Sequence, residues 1–120
     1  MKILTLNINS IRAHIESFID ILRAGEYDTI LVQELKVETA NFPHMVFDEF
    51  GYNVKVFGQK SWNGVAVFSK YSIEDVTMGL PTYADVNSRY LEFTSAYVGR
   101  PIVTSSIEYL ENTATPFHDF

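Results

Sequence analysis

Two stretches near the start of the chain are apolar or β-branched and then stop on a polar residue. Ile3-Leu4-Thr5-Leu6 runs into Asn7, and Ile30-Leu31-Val32 runs through Gln33 to Glu34. Short apolar runs of this kind read as buried strands. Between them Ile11, Ile15, Phe18, Ile19 and Leu22 recur at spacings of 4, 3, 1 and 3, which is one helical face. Ser10 suits the N-cap of that helix and Gly25 its stop. Strand 3–7, helix 11–24 and strand 28–34 make a βαβ unit, whose two strands run parallel. Parallel strands bring their carboxyl ends to one edge, so Asn7 and Glu34 are expected to face one crevice.

Further along, Phe42 to Phe50 reads as a short helix after Pro43, ending at Gly51. Residues 52–57 and 64–69 read as neighbouring strands joined by the polar loop Gly58 to Asn63. Gly79 to Ser88 is a loop containing Pro81. Residues 89–94 and 102–109 read as an antiparallel pair turning through Gly99-Arg100-Pro101. Residues 110–120 show no clear period and are expected to fray.

Composition narrows the class. With 120 residues and 47% hydrophobic content, the chain is one domain with material for a real core. No stretch of about 18 apolar residues suggests a membrane span, and no signal peptide is legible. The absence of cysteine excludes disulfides and thiolate metal sites and suits a reducing cytoplasm. The formal charge of -6 argues against a general nucleic-acid binder, although metal-dependent nucleases need acidic residues at their centres.

A carboxylate closing a buried strand costs several kcal/mol unless something pairs with it, and a divalent cation is a good partner. Asn7 and Glu34 at adjacent strand ends therefore suggest half of a magnesium-dependent phosphoryl-chemistry site.

Longer motifs sharpen this picture. Met1-Lys2-Ile3, followed by Asn7-Ile8-Asn9-Ser10-Ile11-Arg12, resembles the opening of the exonuclease III family of apurinic/apyrimidinic endonucleases. Gln33-Glu34-Leu35-Lys36 resembles its Gln-Glu-Thr-Lys signature. The block Gly58-Gln59-Lys60-Ser61-Trp62-Asn63-Gly64-Val65-Ala66-Val67-Phe68-Ser69-Lys70 is the most specific match, and Arg89-Tyr90-Leu91-Glu92 continues it. The resemblance covers residues 1–94. It implies a DNase I-like α/β fold, of which this chain is the N-terminal half of a four-layer sandwich of mixed sheets flanked by helices. Leu6 and Leu35 replace the family's usual aromatic residue and threonine without removing a ligand. The family's Gly-Asp-x-Asn and Ser-Asp-His motifs are absent, and Tyr109-Leu110-Glu111-Asn112-Thr113 lacks the proline and glycine of the matching loop. None of His14, His44 or His118 stands in a matching context.

The resemblance implies hydrolysis of a phosphodiester in double-stranded DNA, at abasic sites or 3′ ends, with Mg²⁺ or Mn²⁺. Glu34 would be the direct metal ligand; the plain alternative is a strand-end carboxylate paired with Lys36. Asn7 would hold the metal network or contact the scissile phosphate, or is simply a turn-forming residue. Asn9 and Lys36 would support these two, or are surface polar groups. Arg12, Lys60, Ser61, Trp62, Asn63 and Arg89 would meet DNA, with Trp62 inserting along a groove. Alternatively Arg12 is solvated, Trp62 folds back on the core, and Arg89 pairs with Glu92 or Asp85. Tyr109 would approach the phosphate, or else caps the core.

The reading that follows is a truncated exonuclease III-like repair nuclease, cytoplasmic and inactive alone, or one half of a split enzyme completed by a C-terminal chain. A non-catalytic DNA-binding or interaction module is the alternative. A phosphodiesterase acting on lipid or inositol phosphate is a third, disfavoured by the block from Gly58 to Lys70.

Overall fold

A computed structural model describes residues 1–79, 90–95 and 101–105. Strand β1 (Ile3–Asn7) pairs in parallel with β2 (Thr29–Gln33), and helix α1 (Ile15–Ala24) connects them. The βαβ expectation holds in order and direction. The helix begins later than its apolar face suggests: residues Arg12–His14 form a separate 3-10 turn, in which the Ser10 hydroxyl accepts from the Ala13 N–H at 3.3 Å. Gly25 ends α1 in the left-handed region at φ 62°, its N–H on the Leu22 carbonyl, where glycine meets no steric penalty.

Strands β3 (Asn53–Phe57) and β4 (Val65–Ser69) pair antiparallel, and β4 lies beside β2, giving the order β1-β2-β4-β3. The short helix expected after Pro43 is a 3-10 helix over His44–Phe50, closed by Gly51 at φ 79°. A second sheet of three antiparallel strands consists of β5 (Ile73–Met78), β6 (Tyr90–Ser95) and β7 (Pro101–Ser105). The antiparallel pairing of β6 with β7 was expected, but β5 was not. Glu74 and Asp75 are poor strand formers, Asp75 sits at φ 49°, and the register slips between Glu74 and Thr77.

The first sheet is covered on both faces, which is why β2 and β4 are apolar almost throughout. On one face Ile30, Val32, Ala66 and Phe68 pack against Phe18 and Leu22 of α1, with Phe42 and Phe47 beside them. Phe18 meets Phe68 edge-on, with ring centres 4.8 Å apart. On the other face Leu31, Val65 and Val67 pack against Leu91 and Phe93 of β6. Three layers result: helix, sheet, sheet. Among the described residues β1 pairs only with β2.

Candidate functional site

At the carboxyl ends of β1 and β2 the parallel ladder continues into two tight turns. Beyond the Asn7–Gln33 pair, the N–H of Ile8 donates to the Gln33 carbonyl at 3.1 Å. The N–H groups of Ser10 and Ile11 then donate to the carbonyls of Glu34 and Leu35 at 2.9 and 3.1 Å. The two turns are therefore zipped side by side.

The Asn7 side chain bridges them. Its Oδ1 accepts from the Asn9 N–H at 3.1 Å, an Asx turn, and this fixes which way the amide faces. Its Nδ2 donates to Oε2 of Glu34. Lys36 Nζ donates to Asn9 Oδ1 at 2.5 Å, and Arg12 Nη2 reaches the Lys36 carbonyl at 3.4 Å. Asn7, Asn9, Arg12, Glu34 and Lys36 thus form one hydrogen-bonded cluster, and the crevice expected from the βαβ unit brings all five together. The network joins two cationic side chains, Lys36 and Arg12, to the turn that carries the Glu34 carboxylate, a set of groups able to receive a phosphate next to a carboxylate-bound cation.

The backbone here is held in costly conformations. Asn9, Ser10, Glu34 and Lys36 have φ of 48°, 85°, 55° and 56°. Non-glycine residues adopt such angles at a cost of about 1 kcal/mol or more each, and they persist where neighbouring structure enforces them. Leu35, fully buried between Glu34 and Lys36, anchors the second turn. The loop from Gly58 to Gly64 holds it from the other side: the Leu35 N–H donates to the Gly64 carbonyl at 3.1 Å, and the Lys36 N–H to the Asn63 carbonyl at 2.8 Å. At the loop's other end the Gly58 N–H donates to Thr39 Oγ1 at 2.8 Å. A Cβ on Gly58 would lie 2.3 Å from the Val37 carbonyl oxygen, so only glycine fits there.

The loop's own residues divide. The Trp62 N–H donates to the Lys60 carbonyl at 2.7 Å across Ser61, a γ-turn with Ser61 at φ 65°. Lys60 and Ser61 are exposed, and Trp62 is 67% exposed rather than folded on the core. Asn63 departs from the expectation of a DNA-facing side chain. It is only 7% exposed, and its Nδ2 faces Gln59 Oε1 at 3.4 Å. Turning inward to close the loop on Leu35 and Lys36 removes it from the surface. Arg89 and Tyr109 lie outside the described residues.

Gln33 carries more than the sequence signals. Its Nε2 donates to Thr5 Oγ1 at 3.0 Å on β1 and to Thr104 Oγ1 at 2.9 Å on β7, tying the two sheets together one residue before Glu34. Only the polar residue ending an apolar run hinted at this. An apolar recess of about 260 Å³ opens beside Asn7, lined by Leu6, Ile8, His14, Phe18 and Ile21 among others.

Among the described residues no group of three His, Cys, Asp or Glu side chains gathers to hold a metal. The donor set instead offers one carboxylate, from Glu34, while the amide oxygens of Asn7 and Asn9 accept from the Asn9 N–H and the Lys36 ammonium. That fits Mg²⁺, which accepts one or two carboxylates and keeps several of its waters.

Comparison with known proteins agrees with this architecture. Residues 4–118 match the model of the Endonuclease/Exonuclease/phosphatase family. Over 82 residues the chain is 35% identical to exodeoxyribonuclease III of Haemophilus influenzae, covering 68% of this chain and 31% of that protein. The 3′ phosphatase NExo from Neisseria, solved bound to a product DNA hairpin, superposes with a TM-score of 0.84 at 30% identity, over 90% of this chain and 42% of that one. An AP endonuclease from Archaeoglobus fulgidus superposes with a TM-score of 0.83 at 34% identity, over 90% and 41%. The fold is the DNase I-like fold of these AP endonucleases, and the chain spans 31% to 42% of these relatives' lengths. On the match of 115 consecutive positions and the likeness to exonuclease III-like structures, the chain belongs to the Endonuclease/Exonuclease/phosphatase family, in its exonuclease III-like branch.

Proposed function

We propose that these 120 residues carry the metal-ligand side and part of the DNA surface of an exonuclease III-like repair nuclease, and that alone they do not turn over. The observation that carries this reading is the Asn7–Glu34 hydrogen bond at the shared strand edge, with Asn9, Arg12 and Lys36 gathered around it. Glu34 holds the cation, Mg²⁺ or Mn²⁺, and Asn7 fixes the rotamer of that carboxylate. When bound, the cation neutralises charge developing on the phosphoryl oxygens. Lys36 and Asn9 set the second turn, and Arg12 reaches toward the phosphate backbone. Lys60, Ser61 and exposed Trp62 meet the duplex, the cation on phosphate and the ring along a groove.

The substrate is double-stranded DNA with abasic sites or 3′ ends. The product DNA hairpin bound in the Neisseria relative supports a DNA substrate. Hydrolysis also needs a positioned base or acid, and such groups supply large rate factors. The sequence holds neither the Gly-Asp-x-Asn nor the Ser-Asp-His motif. A complementing C-terminal part that brings these groups is the second element of the proposal, with a separate chain as one form of it. What supports it is that, among the described residues, β1 pairs on one edge only, beside a recess that Leu4, Leu6, Ile21, Ala24 and Tyr27 line. A cytoplasmic location suits this function, and no helix among the described residues is long and apolar enough to cross a membrane.

The test is an incision assay on abasic duplex DNA with Mg²⁺, using the purified chain and Glu34→Gln, alongside salt-dependent binding of the same duplex. The reading predicts no Glu34-dependent product, whereas salt-sensitive binding of the duplex without cleavage favours the non-catalytic DNA-binding module. Turnover that vanishes in Glu34→Gln would refute the claim that the absent acid–base groups are indispensable.

A further inference from the structure

Asn63 is buried, yet its Oδ1 has no hydrogen-bond partner among the described residues. A buried carbonyl left in that state is a cost, so the side chain is not there for the hydrogen bonds it makes. Its backbone explains it better. Asn63 sits at φ 49°, immediately before Gly64 at φ 93°, and asparagine is the non-glycine residue that enters the left-handed region most readily. That conformation aims the Asn63 carbonyl at the Lys36 N–H, 2.8 Å away, and the Gly64 carbonyl at the Leu35 N–H, 3.1 Å away. These are the two amides that follow Glu34, itself held at φ 55°.

We infer that Asn63 is a positioning residue acting through its main chain: its left-handed turn clamps the Glu34–Lys36 turn and so fixes the carboxylate proposed to hold the metal. The clamp deepens the proposed function and rests on it for its metal consequence. It also separates Asn63 from its neighbour Trp62, which faces outward at 67% exposure. One loop thus presents a ring to the outside and a pair of carbonyls to the Glu34 turn.

Two substitutions test this, because glycine keeps the backbone and alanine does not. In Asn63→Ala, hydrogen exchange at the Leu35 and Lys36 amides should quicken about tenfold while the Leu31 and Val32 amides hold as a check on folding. Mn²⁺ affinity of the 120-residue chain, read from the free-ion paramagnetic resonance signal, should fall about tenfold in the same variant. Asn63→Gly should retain wild-type protection and affinity in both readouts. Equal losses in the two variants, or none in either, would overturn the inference and return the role to the side chain. If alanine leaves too little folded protein, loss of protection in the glycine variant alone overturns it. Protection that changes as expected while Mn²⁺ affinity holds, with Glu34→Gln still abolishing binding, overturns the positioning role but spares the metal reading. Mn²⁺ binding indifferent to Glu34→Gln overturns both.

Discussion

Asn7 donates its side-chain amide to the Glu34 carboxylate across the parallel pair β1–β2, while its own oxygen accepts from the Asn9 N–H. The amide therefore cannot turn without breaking a bond on each side, and the carboxylate is held in one place. Asparagine is the residue that can do this without adding charge. Replacing it with aspartate sets two carboxylates face to face.

Asn7→Asp should accordingly lower stability by about 1 kcal/mol in chelator and low salt, the modest size reflecting the exposure of Asn7. Excess Mg²⁺ should restore most of that loss. Thermal melts of both proteins with and without Mg²⁺ measure it, and a variant whose melting temperature ignores the cation would speak against a cation beside Glu34.

Three glycines rank the backbone constraints, Gly58 and Gly64 in the loop beside the site and Gly51 at the opposite end of the sheet as a reference. Gly51 has φ 79° with nothing within 4 Å of an added Cβ, so Gly51→Ala should cost about 1 kcal/mol of backbone strain alone. Gly64 adds to φ 93° a Cβ contact of 3.0 Å with Leu35, and Gly64→Ala should cost about 2 kcal/mol. Gly58 would push a Cβ to 2.3 Å from the Val37 carbonyl oxygen, a backbone atom that cannot step aside. Gly58→Ala should cost about 3 kcal/mol or more. Urea unfolding orders the three, and a mild Gly58→Ala would mean the loop does not grip the 37–39 segment.

The second sheet carries a titration that can be isolated. The Tyr90 hydroxyl donates to Glu92 Oε1 at 2.6 Å, and that bond, with burial and the nearby charge, pushes the Tyr90 pKa up to about 12. The neutral phenol is favoured in the folded state. The stability it adds is full below pH 10, the ordinary value, and is lost as pH rises toward 12. Wild type should lose stability more steeply than Tyr90→Phe across that window. Parallel curves would place no weight on the Tyr90–Glu92 bond.

Much of the site was legible because it follows from short-range rules. Two apolar runs, a helical face between them and parallel pairing suffice to bring residue 7 beside residue 34. Strand β5 was not legible, since Glu74 and Asp75 interrupt its alternation and a register slip hides the rest. The left-handed backbone of Glu34 and Lys36 was equally hidden, because contacts from Asn63 and Gly64, distant in sequence, enforce it. For the same reason the sequence grouped Asn63 with Lys60, Ser61 and Trp62 as a DNA surface. A polar residue in a loop looks exposed until the fold turns it inward.

The account depends on Glu34, oriented by Asn7, being where the cation is held, and a Mn²⁺ titration of the 120-residue chain followed by paramagnetic resonance tests this most directly. One weak site that loses at least about tenfold in affinity in Glu34→Gln, with the fold intact, is the result predicted. Superimposable titrations of wild type and Glu34→Gln would contradict it.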